Sequence, residues 1–262
     1  MKILSIIKTL LKSNLIKTIV FNFRAFPIKT AICFPVVFYG RCQVLMGRGK
    51  QLVINTKPEF KMLEVGMNHS FTYGSVGGHP EVTYFRLNGT LELNGYNNVF
   101  ANGCKIYIWE KGRLVLNGNI LVQNLTKIHC SNSIVIGQFC RVSWESQIFD
   151  TNMHYLIDDY GNIRTHKGII EIGNYCWIGN RCTIQKGTKL PDCSVVASNS
   201  MVNKDFTDHP SGIIAGSPAR LIKTGQRRLF DKKIEMLFNS YFIDNPSITT
   251  VNIKDFVSEN II

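Results

Sequence analysis

The chain has 262 residues, 45% of them hydrophobic and 18% charged, which leaves room for one large packed domain with appendages and excludes wholesale disorder. Its formal charge is +12, yet no nucleic-acid-binding motif accompanies that charge, so DNA and RNA are set aside in favour of a solvated basic surface, an anionic membrane face or a polyanionic small molecule. Eight cysteines occur without a CxxC pair or zinc-ligand spacing, which points to small buried thiols in a reducing compartment rather than a disulfide scaffold.

Residues 1–45 read as an amphipathic and irregular N-terminal segment. Met1 to Val20 sets Lys2, Lys8, Lys12 and Lys17 among short apolar stretches. It lacks the run of about 18 apolar residues that a spanning helix needs, and a small-residue cleavage site is not evident. The stretch fits a helix packed on its own domain or on a subunit partner, or a basic amphipathic helix resting on the cytoplasmic face of a membrane.

From residue 46 to 224 the pattern is that of a β-solenoid. Leu91-Glu-Leu-Asn-Gly95 and Leu114-Val-Leu-Asn-Gly118 read as strands of irregular coils that start near residue 50. Ile136, Val142 and Ile148 are spaced by six, and Ile172 follows at a multiple of six. Ile172, Ile178, Ile184, Leu190, Val196 and Val202 then recur at six without a miss. Two residues before these stand Ile170, Cys176, Cys182, Thr188, Ser194 and Ser200, all small but the first. A short strand points alternate side chains inward, and a sharp corner every six residues repeats that choice. Three such strands make a triangular coil, with the aliphatic inside and the small residue where the walls crowd. Gly173, Asn174, Gly179 and Asn180 suit the corners.

The regular coils run over about 130–204, broken by a polar loop at 150–168. Gly212-Ile-Ile-Ala-Gly216-Ser-Pro218 reads as a last strand and a turn. Residues 225–262 form a C-terminal helix and tail, with helical spacing in Leu229, Phe230, Ile234, Leu237 and Phe238 over Gln226 to Tyr241. A helix there is expected to cap the open end of the stack.

Three motifs in series carry a resemblance: Ile172-Gly-Asn-Tyr-Cys-Trp-Ile-Gly-Asn180, Val195-Val-Ala-Ser-Asn-Ser-Met-Val-Asn-Lys204 and Ala215-Gly-Ser-Pro-Ala-Arg220. Together they resemble the hexapeptide-repeat acyltransferases. The likeness is to the galactoside, maltose and xenobiotic acetyltransferase branch, and to the O-acetyltransferases of capsule and O-antigen clusters. It covers about residues 130–224. It implies an all-β left-handed parallel β-helix, assembly as a homotrimer, acetyl-CoA as co-substrate without a required metal, and a catalytic histidine on a loop leaving the coil.

The resemblance places that histidine at His154, in Phe149-Asp-Thr-Asn-Met-His154, where the coil breaks into the loop. Moving an acetyl group from a thioester to a hydroxyl needs a base, and imidazole titrates in the right range. Asp150 and Asn152 precede it, and either could orient the imidazole or substrate or simply build a turn. Asn152 departs from the acidic residue that many relatives carry there. His129 and His166 are weaker candidates, and Trp144 fits coil packing or the acceptor pocket. For acetyl-CoA, the resemblance implies Trp177 near the acetyl group and pantetheine arm, Gly179 among the cofactor contacts, Asn180, Ala197 and Ser198 along the pantetheine, and Asn203 and Lys204 on the next coil. Ala197 and Ser198 depart from the family's usual Gly-Ala pair. Arg220 and Lys223 would meet the nucleotide phosphates, as a fork and a point charge.

The leading expectation is an acetyl-CoA-dependent O-acetyltransferase acting on a sugar hydroxyl of a bacterial surface polysaccharide or its precursor, in the cytoplasm or at the inner membrane face. The alternatives are acetylation of an amino group on an amino sugar, sugar nucleotide or antibiotic, and a scaffold without catalysis. A zinc hydratase on the same solenoid would need a close pair of histidines on one coil, which the spacing of His129, His154 and His166 does not supply.

Overall fold

The computed structural model describes residues 2–47, 51–67 and 81–257. Met1 and the tail beyond 257 lie outside the described residues. Two units are distinct, 1–227 and 228–262.

The larger unit is a coil of short strands laid into three parallel sheets. Val36–Phe38 opens the first sheet, Cys42–Met46 the second and Leu52–Ile54 the third. The chain then returns to the first sheet at Leu63–Met67 and repeats the same cyclic order. The stack takes in Val36–Phe38 and Cys42–Met46, ahead of the boundary at residue 46 that the sequence suggested. Among the described residues the pairing is parallel except for the closing hairpin, Gly212–Gly216 with Ala219–Thr224, and the small hairpin of the loop with the bridge at its base.

Coil length explains where the period of six is visible. Val99 lies beside Leu121 and Leu121 beside Arg141, so neither of those coils is a multiple of six. Trp177 lies beside Val195 and Val195 beside Ile213, so each of those coils is three sixes long. The aliphatic positions Ile172, Ile178, Ile184, Leu190, Val196 and Val202 are all buried, as are the residues two places before each.

The corners have their own chemistry. Asn55, Asn94 and Asn117 stack on successive coils, the amide of Asn55 donating to Asn94 at 2.8 Å and that of Asn94 to Asn117 at 2.9 Å. Such a ladder satisfies side-chain amides along the stack. Other corners hold a non-glycine residue in the left-handed region, among them Phe139, Tyr175, Arg181 and Asn199. Phe139 and Tyr175 offset that backbone cost by stacking, with ring centroids 4.9 Å apart and planes within 3°.

The first coil is closed by a helix. α1 (Lys2–Lys12) and α2 (Leu15–Ala25) precede the stack, with a short α3 (Ile28–Ala31) after them. Asn14 caps α2, its side chain accepting the Lys17 N–H at 3.3 Å. α2 buries Thr18, Phe21 and Asn22. Asn22 both donates to the Val36 carbonyl and accepts from the Val36 N–H, and Thr18 accepts from the Phe38 N–H at 3.1 Å. Phe21 meets Phe38 edge-on at 5.0 Å. An open solenoid end needs such a cap. At the other end of the chain a helix does form, but over α4 (Lys232–Asp244), capped by Asp231, and none of its residues is buried. It belongs to the second unit.

Candidate active site

Between the second sheet (Gln147–Phe149) and the third (Ile169–Ile172) the chain leaves the coil as a loop. Its tip is an antiparallel hairpin pairing Leu156–Ile157 with Ile163–Arg164. Its neck is closed. Thr151 and Lys167 form a bridge, the Asn152 N–H donates to the His166 carbonyl at 2.9 Å, and the Gly168 N–H donates to the Asp150 carbonyl at 2.9 Å.

Asp150 sits beneath that neck with no exposed surface. Its carboxylate accepts the Ser131 N–H at 2.8 Å and the Asn132 N–H at 2.7 Å. Burial raises its pKa, and those N–H donors pull it back part of the way. The carboxylate thus holds the corner of the coil below to the root of the loop. His129, on that lower coil, is 9% exposed, and burial pushes its pKa down while the Asp150 charge works in the opposite direction.

His154 and Asn152 are exposed on the loop. They line a cavity of about 260 Å³ with Asn162, Arg164, His166 and Lys186, the last from the next coil. Inside the neck, His166 Nδ1 lies 2.7 Å from Thr151 Oγ1, and Tyr155 packs edge-on against its ring at 4.7 Å.

Most of the residues assigned to acetyl-CoA lie elsewhere. Trp177 is on the outward side of the first sheet, 38% exposed, with its indole N–H donating to Ser143 Oγ at 3.2 Å. Asn180 and Ser198 occupy the corner between first and second sheets on successive coils, joined by a 2.5 Å hydrogen bond from Ser198 Oγ to Asn180 Oδ1. Ala197 is half-buried beside them, its N–H donating to the Ile214 carbonyl at 2.9 Å. Gly179 is required: a Cβ there would stand 2.7 Å from the Ser198 nitrogen and 2.9 Å from the Val196 oxygen. Trp177, Val195, Ile213 and Lys223 follow one another in register up the sheet. That column spans roughly 14 Å at the usual strand spacing. It offers an aromatic and aliphatic wall ending in a cation, with Arg220 exposed on the same hairpin strand. A thin apolar chain ending in phosphates fits such a wall. Asn203 and Lys204 are exposed at the other corner, between second and third sheets, and Lys204 Nζ lies 5.0 Å from the Phe206 ring.

Within one chain, then, the histidine loop leaves the corner between second and third sheets, which Asn203 and Lys204 share, while the Trp177 column lies on the face of the first sheet and Asn180 and Ser198 at the corner between first and second. The cavity His154 lines includes none of Trp177, Asn180 and Ser198. Sequence reasoning also missed a larger cavity on the other side of the neck, lined by Arg86, Trp109, Lys111, His129, His166 and Lys167 among others. Its members come from several coils, far apart along the chain, so no local pattern marks them. Among the described residues, no three His, Cys, Asp or Glu side chains lie together as a metal-binding set.

No family model matches the chain. It is 43% identical over 70 residues to a chloramphenicol acetyltransferase of Morganella morganii, a match covering 27% of this chain and 31% of that protein. It is 34% identical over 76 residues to the galactoside O-acetyltransferase of Escherichia coli (strain K12), covering 29% of this chain and 34% of the relative. A longer match, 24% identical over 151 residues, is to the putative lipopolysaccharide biosynthesis O-acetyl transferase WbbJ of Escherichia coli (strain K12), covering 53% of this chain and 74% of that one. The chain spans about a third of the length of the first curated relatives it matches, 31% and 37%. Among solved structures, the polySia-specific acetyltransferase NeuO overlaps 78% of this chain and 98% of its own, at 19% identity and a TM-score of 0.43. The sequence matches bear out the resemblance to the hexapeptide-repeat acyltransferases, with relatives named as a chloramphenicol acetyltransferase, a galactoside O-acetyltransferase and a putative lipopolysaccharide biosynthesis O-acetyl transferase.

Proposed function

We propose that this chain is an acetyl-CoA-dependent O-acetyltransferase that acylates a sugar hydroxyl of a surface polysaccharide or its precursor, with His154 as general base. The observation that carries the reading is the loop itself: a closed-neck excursion that hangs a histidine over its own cavity at one corner of the coil. Acetyl-CoA supplies an activated acetyl thioester. His154 takes the hydroxyl proton as the acceptor oxygen closes on the acetyl carbon, and passes it to the departing sulfur. Trp177, Gly179, Asn180, Ala197 and Ser198 would hold the pantetheine arm, and Arg220 and Lys223 the phosphates, with Asn203 and Lys204 contributing from the second corner. Asp150 acts through the loop it anchors.

A left-handed coil and a homotrimer complete this reading. The separation of His154 from the Trp177 column supports the trimer, because the loop corner of one copy, set against the first sheet of its neighbour, would make one site from halves that a single chain keeps apart.

The first helices support a peripheral place on an anionic membrane. Residues 1–58 hold ten of the lysines and arginines and no aspartate or glutamate. Leu4, Leu11, Ile16, Val20, Ile28 and Ile32 are each more than half exposed on α1, α2 and α3 with its C-cap. No helix of the described residues is long and apolar enough to cross a membrane.

The test is release of free CoA thiol by wild type and His154→Ala, against a panel of neutral, acidic and amino sugars and oligosaccharides. Turnover by wild type with a hydroxyl acceptor, lost in the variant while CoA binding persists, supports the reading. Turnover confined to amino sugars would make it an N-acetyltransferase, and undiminished turnover by the variant would remove His154 as the base.

A further inference from the structure

The neck of the loop separates two cavities that share His166. One, of about 260 Å³, belongs to His154. The other, of about 540 Å³, opens along the second sheet toward the start of the chain.

The larger cavity is set beside an ordered surface. Arg86, Tyr107, His129 and Phe149 follow one another in register on successive strands of the second sheet. Lys105 and Lys127 do the same in the neighbouring outward column. Successive rows are about 4.8 Å apart. Rings meet along the ladder: His129 lies 5.6 Å from Phe149 and 5.5 Å from Trp109. A ladder of this kind stabilises a sheet by itself. That purpose does not account for Trp109, which is 38% exposed at the corner, lines the cavity and carries the Arg86 guanidinium 4.8 Å from its ring centre. Nor does it account for the charge around the opening, where Arg86, Lys111 and Lys167 face a single acid, Glu110.

The part of Trp109 that stays exposed, with the Arg86 guanidinium over its ring and the His129 ring beside it, offers an apolar edge to the C–H face of a sugar ring. Guanidinium and ammonium groups beside it pair with carboxylates. A wall of rings with cations at its margin therefore suits a chain of sugars with repeated negative charge. We propose that this cleft is an acceptor subsite that binds the body of an acidic oligosaccharide, with the exposed edge of Trp109 as apolar contact and Arg86, Lys111 and Lys167 as carboxylate partners. The cleft would present the next sugar across the neck to His154. The proposal rests on the acetyl-transfer reading of the loop for its purpose, though binding itself can be tested without acetyl-CoA.

The experiment is calorimetric titration of the full chain with hexagalacturonate, a hyaluronan hexamer and neutral maltohexaose, in low and high salt. At least one acidic hexamer should bind, about tenfold or more tightly than maltohexaose, with affinity falling as salt rises. Trp109→Ala should weaken that binding about tenfold, Trp109→Phe should restore most of it, and Arg86→Gln should weaken it with the fold intact by thermal melting. Equal affinity for acidic and neutral hexamers, no binding of either acidic hexamer, or undiminished binding by both Trp109→Ala and Arg86→Gln would overturn the proposal. Failure of the acetyl-transfer reading would show separately, as failure to bind acetyl-CoA or to release thiol with any acceptor.

Discussion

Thr151 Oγ1 stands 2.7 Å from His166 Nδ1 across the neck of the loop, while the same oxygen accepts the Met153 N–H at 2.9 Å. One hydroxyl thus ties a ring to the backbone just before His154. His166 is fixed at the root of the loop, and His154 stands beyond it in the open cavity. Loss of the His154 imidazole should lower turnover by about two orders of magnitude or more, the scale of general-base catalysis. His166→Ala should cost less and act on the acceptor KM as well as on kcat. Steady-state thiol release on the two variants checks this, and equal losses would mean that the pair acts as a unit.

Asp150 predicts a stability effect. Removing its carboxylate in Asp150→Ala leaves the Ser131 and Asn132 N–H groups without their acceptor. The orphaned Ser131 donor is buried and costs about 1–3 kcal/mol, and the half-buried Asn132 donor costs less. The melting temperature should fall, and turnover should fall with it as the root of the loop loosens. Asp150→Asn keeps one acceptor oxygen and should melt between wild type and Asp150→Ala.

The buried His129 imidazole gives a pH dependence of known sign. Burial holds its pKa below the ordinary value of about 6.5. The unfolded chain therefore takes up a proton at a higher pH than the folded one does. This group's contribution is fully present above the ordinary imidazole range and is lost as pH falls through it. Thermal melts from about pH 8 to 5 should show wild type losing more stability on acidification than His129→Gln does. Parallel curves would mean that His129 does not carry the effect.

Gly179→Ala tests the close approach of two coils. The added Cβ would meet backbone atoms of Ser198 and Val196, which cannot rotate away as a side chain can. Strain of about 1–3 kcal/mol is expected, with weakened acetyl-CoA binding because Asn180 and Ser198 flank the contact. Melting and CoA titration read the two effects independently.

The N-terminal helices make a prediction about vesicles. Wild type should co-sediment with vesicles rich in anionic phosphatidylglycerol, more weakly with phosphatidylcholine alone, and less in high salt. Ile16→Glu places a charge on the exposed face of α2 away from buried Phe21 and should reduce pelleting without lowering the melting temperature. Equal pelleting of the variant would exclude that face as the contact.

Much of the coil was legible because its geometry repeats in the sequence. Where a coil is three sixes long, every inward position returns at six, and Ile172 to Val202 can be read directly. In the longer coils nearer the start of the chain the corners absorb the surplus, and the period dissolves although the sheets continue. The corners were half legible. Gly179 announces a close approach, whereas Phe139, Tyr175 and Arg181 adopt left-handed backbone that no local composition betrays. The loop was visible as a polar interruption, but its closed neck was not, because Thr151 and Lys167 pair across the whole of the excursion. The cleft beside Trp109 was invisible for a related reason: Arg86, Trp109 and His129 become neighbours only once three coils are stacked.

The pinched neck of the loop also bears on how such a protein can change. Phe149 pairs with Gln185 and Ile172 with Ile136, so the sheets run past the excursion with the register they would have without it. Everything between Thr151 and Lys167 is attached to the coil as a module, by one bridge and a few hydrogen bonds. Such a module can be lengthened, shortened or exchanged without repacking the interior. On the acetyl-transfer reading, acceptor preference can then drift by exchange of the hairpin tip, 156–164, with His154 and His166 left in place and the stack beneath keeping its stability, and a graft of a foreign tip onto that hairpin is the engineering form of the same freedom.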